Sequence, residues 1–354
     1  MQTSFAFLAA LAFSLVATPL MRTFARRVGA LVYPNARSVH KIPIPHLGGV
    51  AIYLSSVAAM LLSHPLDTTA EYALIFGGLV ILAVGVIDDV VTLKPWQKAL
   101  GQVLSGVVVI AIGVSISFLT NPFSGALNVL GFLAVPLTLM WVVSFENLVN
   151  LSDGLDGLAA GIVAITATVI VFASYIAGAY GIPPAAAAIA GSVLGFLPYN
   201  FHPASIFMGD AGAMYLGLAL AVLSVQGLVK SAVFMSVLAP LLTLMVPISD
   251  TAFAIVRRKL SGQAVLQADH DHLHHRLLEL GLGQRNAVLS IYLVSLLFGG
   301  LGLISGFVPI QTGGPIVGVA VIALFAAAHR AGLLTVSSRR HGKRQADQSS
   351  GGQR

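Results

Sequence analysis

Four histidines, His270, His272, His274 and His275, fall within six consecutive positions beside Asp269, Asp271 and Arg276 in the stretch ADHDHLHHRLLELG. Imidazoles and a guanidinium at that density suit the gripping of phosphate oxygens, since each offers N–H donors to an anion. A zinc site is the sharper alternative, histidine being a usual ligand of that metal, and a solvated loop is the plain one. The other chemistry-bearing groups are mostly acids. GVIDDVVTLK sets Asp88 and Asp89 side by side, NLVNLSDGLDGLAAG spaces Asn150, Asp153 and Asp156 at intervals of three, and NFHPASIFMGDAGAMYLG leaves Asp210 between Gly209 and Gly212. Adjacent carboxylates repel one another and lose hydration near an apolar phase, so such groups call for a cation, a metal or a proton. On one helical turn Asp153 and Asp156 would share a face, and Gly154 and Gly157 let backbone approach a ligand closely. Asp210 in a glycine turn is a hard oxygen ligand of the kind accepted by Mg²⁺, an ion that takes about one or two carboxylates together with substrate phosphates.

The elements that position these groups follow from composition. The 354-residue chain is 57% hydrophobic and 9% charged, with a mean hydropathy of +0.91, which is the profile of a membrane protein. A crossing helix needs about 20 apolar residues, and such runs lie at roughly 4–21, 47–63, 72–87, 99–118, 127–145, 158–178, 184–199, 212–229, 231–250, 287–308 and 315–332. The expected fold is therefore all-α and polytopic, with about eleven membrane helices in a single domain over 1–332 and a basic, disordered tail over 333–354. The absence of cysteine excludes disulfides, thiolate metal sites and thiol nucleophiles. With eleven alternating spans, every Lys and Arg except Lys230 falls on one side of the membrane, in segments 22–46, 88–98, 146–157, 200–211 and 251–286, the tail and the end of the last helix, where Arg330 lies. The bias of basic residues toward the cytoplasm assigns those segments inside, with the N-terminus outside and the C-terminus cytoplasmic. The acids follow, Glu146 among them, and only Asp67 and Glu71 remain on the outer side.

The three acidic motifs, the first extended to GVIDDVVTLKPWQKALGQ, together with the amino-terminal PNARSVHKIPIPHLGG and the histidine stretch extended to PISDTAFAIVRRKLSGQAVLQADHDHLHHRLLELGLGQRNAV, resemble in order and spacing the polyprenyl-phosphate N-acetylhexosamine-1-phosphate transferases over roughly residues 20–300. The resemblance implies transfer of a sugar 1-phosphate from a UDP-N-acetylhexosamine to undecaprenyl phosphate in the membrane, with release of UMP and Mg²⁺ as cofactor, replaceable by Mn²⁺. Residue by residue, it implies catalytic roles for Asp88, Asp89, His272, His274 and His275 and metal binding by Asp210 and Asp153. Asn150, Asp153, Asp156, Asn200 and Arg276 would face the substrates. A lysine beside a diphosphate is a useful point charge, and Lys41 and Lys94 are preferred for that role over Lys98, which could equally snorkel at the membrane surface. HLHHR resembles the N-acetylglucosamine branch and differs from the three consecutive histidines of the branch that handles muramoyl-pentapeptide, which stays as the alternative donor.

A transporter is the rival from another class. Transporters carry repeats and polar sites near the bilayer midplane, whereas here the acids gather at span ends and no repeat is visible. Nucleic acid is not an expected partner; a homodimer through membrane helices fits such a chain. Gly191 with Gly195 and Gly302 with Gly306 read as small-residue patterns for close helix packing.

Overall fold

The computed structural model describes residues 1–34, 42–63, 66, 68–120, 127–226, 240–260, 276–278, 280–305, 307–308 and 310–330. Lys41, His270, His272, His274, His275 and the tail lie outside the described residues, as do residues 231–239 of the span expected at 231–250. Among the described residues the protein is a bundle of α-helices: α1 (Gln2–Val28), α2 (Gly48–Ser63), α3 (Thr69–Val91), α4 (Pro95–Ile112), α5 (Ala134–Ser152), α6 (Leu158–Ile176), α7 (Pro183–Asn200), α8 (Gly209–Gln226), α9 (Met245–Leu260), α10 (Gln284–Ser305) and α11 (Ile310–Arg330). Two short antiparallel hairpins complete it. β1 (Leu31–Val32) pairs with β2 (Ile44–Pro45), and β3 (Phe118–Thr120) with β4 (Leu127–Val129).

Seven helices are long and apolar enough to cross a membrane by length and composition: α1, α3, α4, α5 with its preceding turn, α6, α8 and α10. The chain is thus a multi-pass, mostly helical membrane protein. The stretch expected to span at 184–199 forms α7, which is not among the seven; it is rich in Ala, Gly and Pro and buried along most of its length between α1, α2 and α6. Protein rather than lipid solvates it, so it needs no lipid-grade hydropathy.

α8 is the hub, buried at every position from Ala211 to Val225 and packed against α3, α5 and α2. Small residues allow the approach. A Cβ at Gly85 of α3 would strike Ala211, and one at Gly49 of α2 would strike Gly212. The pattern expected at Gly191 and Gly195 does the same on α7, where a Cβ would strike the carbonyls of Phe7 and Leu11 on α1. Gly306 lies outside the described residues.

Glu146 departs from its expected place at a span end. It sits within α5 with 0% exposure, its Oε1 accepting from Ser105 Oγ at 2.7 Å and its backbone against Gly217 of α8. The segment expected to leave the helix at 146 stays helical to Ser152.

Candidate active site

α3 ends at Asp88 and Asp89, and the two acids turn to different partners. Thr92 takes φ 57° and donates its N–H to the Asp88 carbonyl at 2.8 Å, which closes the helix. One residue on, the Leu93 N–H donates to Asp88 Oδ1 at 2.7 Å. Pro95 then opens α4 at a position where a missing N–H costs nothing, and Gln97 Oε1 accepts from the Lys94 N–H at 2.9 Å. Helix side chains lean toward their own N-terminus, so Lys98, in the first turn, reaches back to the end of α3. Its Nζ lies 3.0 Å from Asp88 Oδ2 and also bonds Asp210 Oδ2.

Asp89 serves α8. Its Oδ1 accepts from the Asp210 N–H at 2.9 Å and its Oδ2 from the Ala211 N–H at 3.3 Å, which satisfies amides that a helix N-terminus leaves without partners. Gly209 makes this contact available: with φ +71° it sits where a Cβ would strike Asp89 Oδ2. The segment before α2 holds the same turn from the other side. Gly48 and Gly49 donate to the carbonyls of Phe207 and Met208 at 3.0 and 2.8 Å, Phe207 donates to the Pro45 carbonyl at 2.8 Å, and His46 Nε2 lies 2.8 Å from the Asp89 carbonyl. The start of α8, and with it Asp210, is therefore clamped by α3 and by residues 45–49.

Asn150, in the last turn of α5, completes the cluster. With its amide nitrogen toward Asp210 Oδ1 at 3.0 Å and its oxygen toward Lys98 Nζ at 2.8 Å, both ends are satisfied. Four side chains from α3, α4, α5 and α8 thus meet around one ammonium.

The pair Asp153 and Asp156 does not share a helical face as its spacing suggested. α5 stops at Ser152, Asp153 is its cap, and α6 starts only after Gly157 at φ +81°, so both acids lie in the intervening turn. They diverge in surroundings. Burial, and then the charges of Asp210 and Asp156, push the Asp153 carboxyl up to about 7. Asp156 Oδ2 instead accepts from the Ala204 N–H at 3.1 Å and pairs with His202 Nδ1 at 2.7 Å.

The remaining sequence candidates separate. Asn200, grouped with the substrate residues, is 2% exposed and spends its amide on backbone: Oδ1 accepts from the Gly157 N–H at 3.1 Å and Nδ2 donates to the Ile206 carbonyl at 3.1 Å. It braces the turn that carries Asp156. Lys94, preferred over Lys98, is exposed at the start of α4, and the order of the two lysines is reversed: Lys98 occupies the centre. Arg276 lies in the short helical stretch 276–278, its carbonyl accepting from the Leu280 N–H at 3.0 Å. Sequence reasoning missed His202, His46 and Arg285, whose Nε donates to the His202 carbonyl at 2.9 Å.

Asp88, Asp210 and Asp153 are the residues that could hold a divalent cation. Among the described residues no group of three His, Cys, Asp or Glu side chains is already arranged around one point. The donor set nevertheless fits Mg²⁺, which takes about one or two carboxylates and leaves the rest of its shell to phosphate and water. Two observations carry the fit: the oxygens of Asp88 and Asp210 already converge on a cation, the Lys98 ammonium, and Asp153 sits beside Asp210 with a carboxyl that a further positive charge would ionise.

The described residues thus form a multi-pass membrane bundle with a cation-centred cluster of acids where α3, α4, α5 and α8 meet. Residues 72–228 match the model of glycosyl transferase family 4. The chain is 40% identical over 293 residues to a protein of Bacillus subtilis named as a probable undecaprenyl-phosphate N-acetylglucosaminyl 1-phosphate transferase, an alignment covering 83% of this chain and 82% of the relative. It is 39% identical over 336 residues to a decaprenyl-phosphate N-acetylglucosaminephosphotransferase of Mycolicibacterium smegmatis, covering 86% and 82%. A phospho-N-acetylmuramoyl-pentapeptide-transferase of a Geobacillus species is 30% identical over 309 residues, covering 82% and 93%. The chain belongs to glycosyl transferase family 4, among its polyprenyl-phosphate sugar-1-phosphate transferases.

Proposed function

We propose that the protein transfers N-acetylglucosamine 1-phosphate from UDP-N-acetylglucosamine to undecaprenyl phosphate and releases UMP. The observation that carries the reading is the single ammonium of Lys98 shared by Asp88, Asp210 and Asn150, four groups from four helices meeting at one bundle end. The greater identity to N-acetylglucosamine relatives than to the muramoyl-pentapeptide relative supports the choice of donor.

An oxygen of the lipid phosphate attacks the donor's β-phosphorus, the bond from that phosphorus to the oxygen bridging the two phosphates breaks, and UMP leaves with that electron pair. Both reactants are anionic, so the step needs positive charge at the phosphorus. Bound Mg²⁺, held by Asp210 and Asp88 with Asp153, would supply that charge as a Lewis acid. Lys98 contributes a fixed positive charge and holds Asp88 and Asp210 in place. Asp89 works indirectly, by fixing the start of α8. A lipid phosphate is already ionised near neutral pH, so no general base is required of either acid of the pair. His272, His274, His275, Arg276 and Lys41 add donors for phosphate oxygens in this reading. Eleven crossings with the N-terminus outside would put the site at the cytoplasmic face, in keeping with the placement of the Lys and Arg residues.

The test supplies purified protein with Mg²⁺, undecaprenyl phosphate and UDP-N-acetylglucosamine labelled in the sugar. Labelled lipid and one UMP per product are expected. Release of UDP would mean attack at the sugar carbon and would overturn the reaction type; product only with the muramoyl-pentapeptide donor would overturn the sugar.

A further inference from the structure

The acid-rich end of the bundle has one described feature that the reaction centre does not use. His202 Nδ1 is committed to Asp156 Oδ2 at 2.7 Å, and the same carboxylate oxygen accepts from the Ala204 N–H at 3.1 Å. With the Asp156 carboxylate accepting from Nδ1–H the ring orientation is fixed, and Nε2 then donates to an anion in the imidazolium form, since the neutral tautomer leaves a lone pair there. Across the ring, Nε2 makes no hydrogen bond with any described residue, and the side chain is about one-third exposed. Arg285, at the start of α10, donates from Nε to the His202 carbonyl at 2.9 Å and so brings its guanidinium to the same rim.

Charge gives this pairing a purpose. Among the described residues, Asp88 and Asp210 meet at Lys98, and Asp153 and Asp156 lie in the neighbouring turn between α5 and α6. A diphosphate approaching that end meets mostly negative charge, and the Arg285 guanidinium anchored on the His202 carbonyl offsets part of it. Asn200 steadies the arrangement: it ties Gly157, next to Asp156, to the Ile206 carbonyl, so that the two turns carrying Asp156 and His202 move together.

We propose that the imidazolium form of His202, held by Asp156 at Nδ1, donates from Nε2–H to the phosphate that adjoins the uridine of the donor, that Arg285, anchored on the His202 carbonyl, adds its guanidinium to the same phosphate, and that Asp156 is the residue that orients His202. The proposal rests on the UDP-sugar reading above and extends it to residues outside the acid cluster. It makes Asp156 a positioning residue and His202 a specificity element for a nucleotide phosphate.

The test compares full-length His202→Asn, His202→Gln and Arg285→Gln with the wild type. Asparagine places its amide where Nδ1 was and keeps the bond to Asp156 without Nε2; glutamine reaches toward the Nε2 position. Loss of a hydrogen bond to a charged group is worth about tenfold or more in affinity. In His202→Asn we expect the KM for UDP-N-acetylglucosamine and the inhibition constant of UMP to rise by about that factor, with the KM for undecaprenyl phosphate, the melting temperature and inhibition by uridine unchanged. His202→Gln should recover part of the loss, and Arg285→Gln should shift the same two constants in the same direction. Unchanged donor KM and UMP inhibition in His202→Asn would leave His202 a structural brace and overturn the proposal. An equal rise for uridine would move the contact to the nucleoside and overturn it too. Should His202→Asn fail to fold, unchanged UMP inhibition in Arg285→Gln would overturn it as well. The wild-type control separates the two readings: no UMP from the wild type defeats the proposed function, whereas normal wild-type turnover with unshifted variants defeats only this inference.

Discussion

The two ends of α3 carry acids put to different uses, Glu71 buried at one and Asp88 and Asp89 half-buried at the other. At its start, Glu71 accepts from the Thr68 N–H and hydroxyl at 3.2 and 3.0 Å while Thr68 Oγ1 accepts from the Glu71 N–H at 3.3 Å, a reciprocal cap on the helix's own first turn. At its end, Asp88 and Asp89 reach α4 and α8, through Lys98 and through the Asp210 and Ala211 amides. A capping exchange such as that of Thr68 and Glu71 fixes the start of its own helix. Acids whose partners come from other helices fix the relative placement of those helices, and the protein places its one multi-helix charge cluster among the described residues there.

The largest way to sharpen this contrast is Asp210→Asn. It should lower turnover by about 10²–10³ because a carboxylate at the cation centre is gone, yet leave the melting temperature near wild type, since the backbone amide of residue 210 still meets Asp89. Near-normal UMP release would sink the assignment.

Asp153 supplies a pH signature. Its carboxyl is held at about 7 by burial and by Asp210 and Asp156, and a metal needs the ionised form. Apparent Mg²⁺ affinity should therefore fall by up to about tenfold per pH unit below that value, as read from Mg²⁺ titrations of activity between mildly acidic and mildly alkaline pH. The same titration in Asp153→Asn should lose that slope; a slope that persists would place the proton elsewhere.

Asp89→Ala and Thr68→Ala compare the ends directly. Each removes a cap, and each should cost about 1 kcal/mol of stability, seen as a lower melting temperature in detergent. Only Asp89→Ala should also reduce turnover, because it alone loosens the clamp on Asp210; equal activity in the two variants would break the comparison. Least affected should be Lys94→Ala, at less than about threefold in turnover, against a large loss in Lys98→Met.

Much of this end was legible in the sequence, because acids beside apolar runs are costly without partners and the motifs place them at helix ends. Lys98 sits among the acids although a lysine just outside a span beginning at residue 99 reads as snorkelling. Pro95 with Gln97 at the third helical position signals an earlier start, and a helix from 95 puts Lys98 in its first turn, aimed back at Asp88. Asp153 and Asp156 misled through spacing alone, since glycines at 154 and 157 stop a helix more strongly than a three-residue interval implies one. His202 was invisible for a different reason. Its partners Asp156 and Arg285 lie 46 and 83 positions away, and no local pattern announces them.

The central claim is that Asp88, Asp89 and Asp210 build and hold a charge centre and that none of them attacks phosphorus. Asp89 has both oxygens on α8 amides, and Asp88 is held by the Leu93 N–H and Lys98. The most direct test is exchange of labelled UMP into UDP-N-acetylglucosamine by the purified, Mg²⁺-supplied protein stripped of polyprenyl phosphate. With direct attack by the lipid, exchange is absent until undecaprenyl phosphate is added and then appears, since one diphosphate linkage is traded for another. Exchange at a rate comparable to turnover with donor and UMP alone would require a covalent phospho-sugar enzyme and would contradict the account.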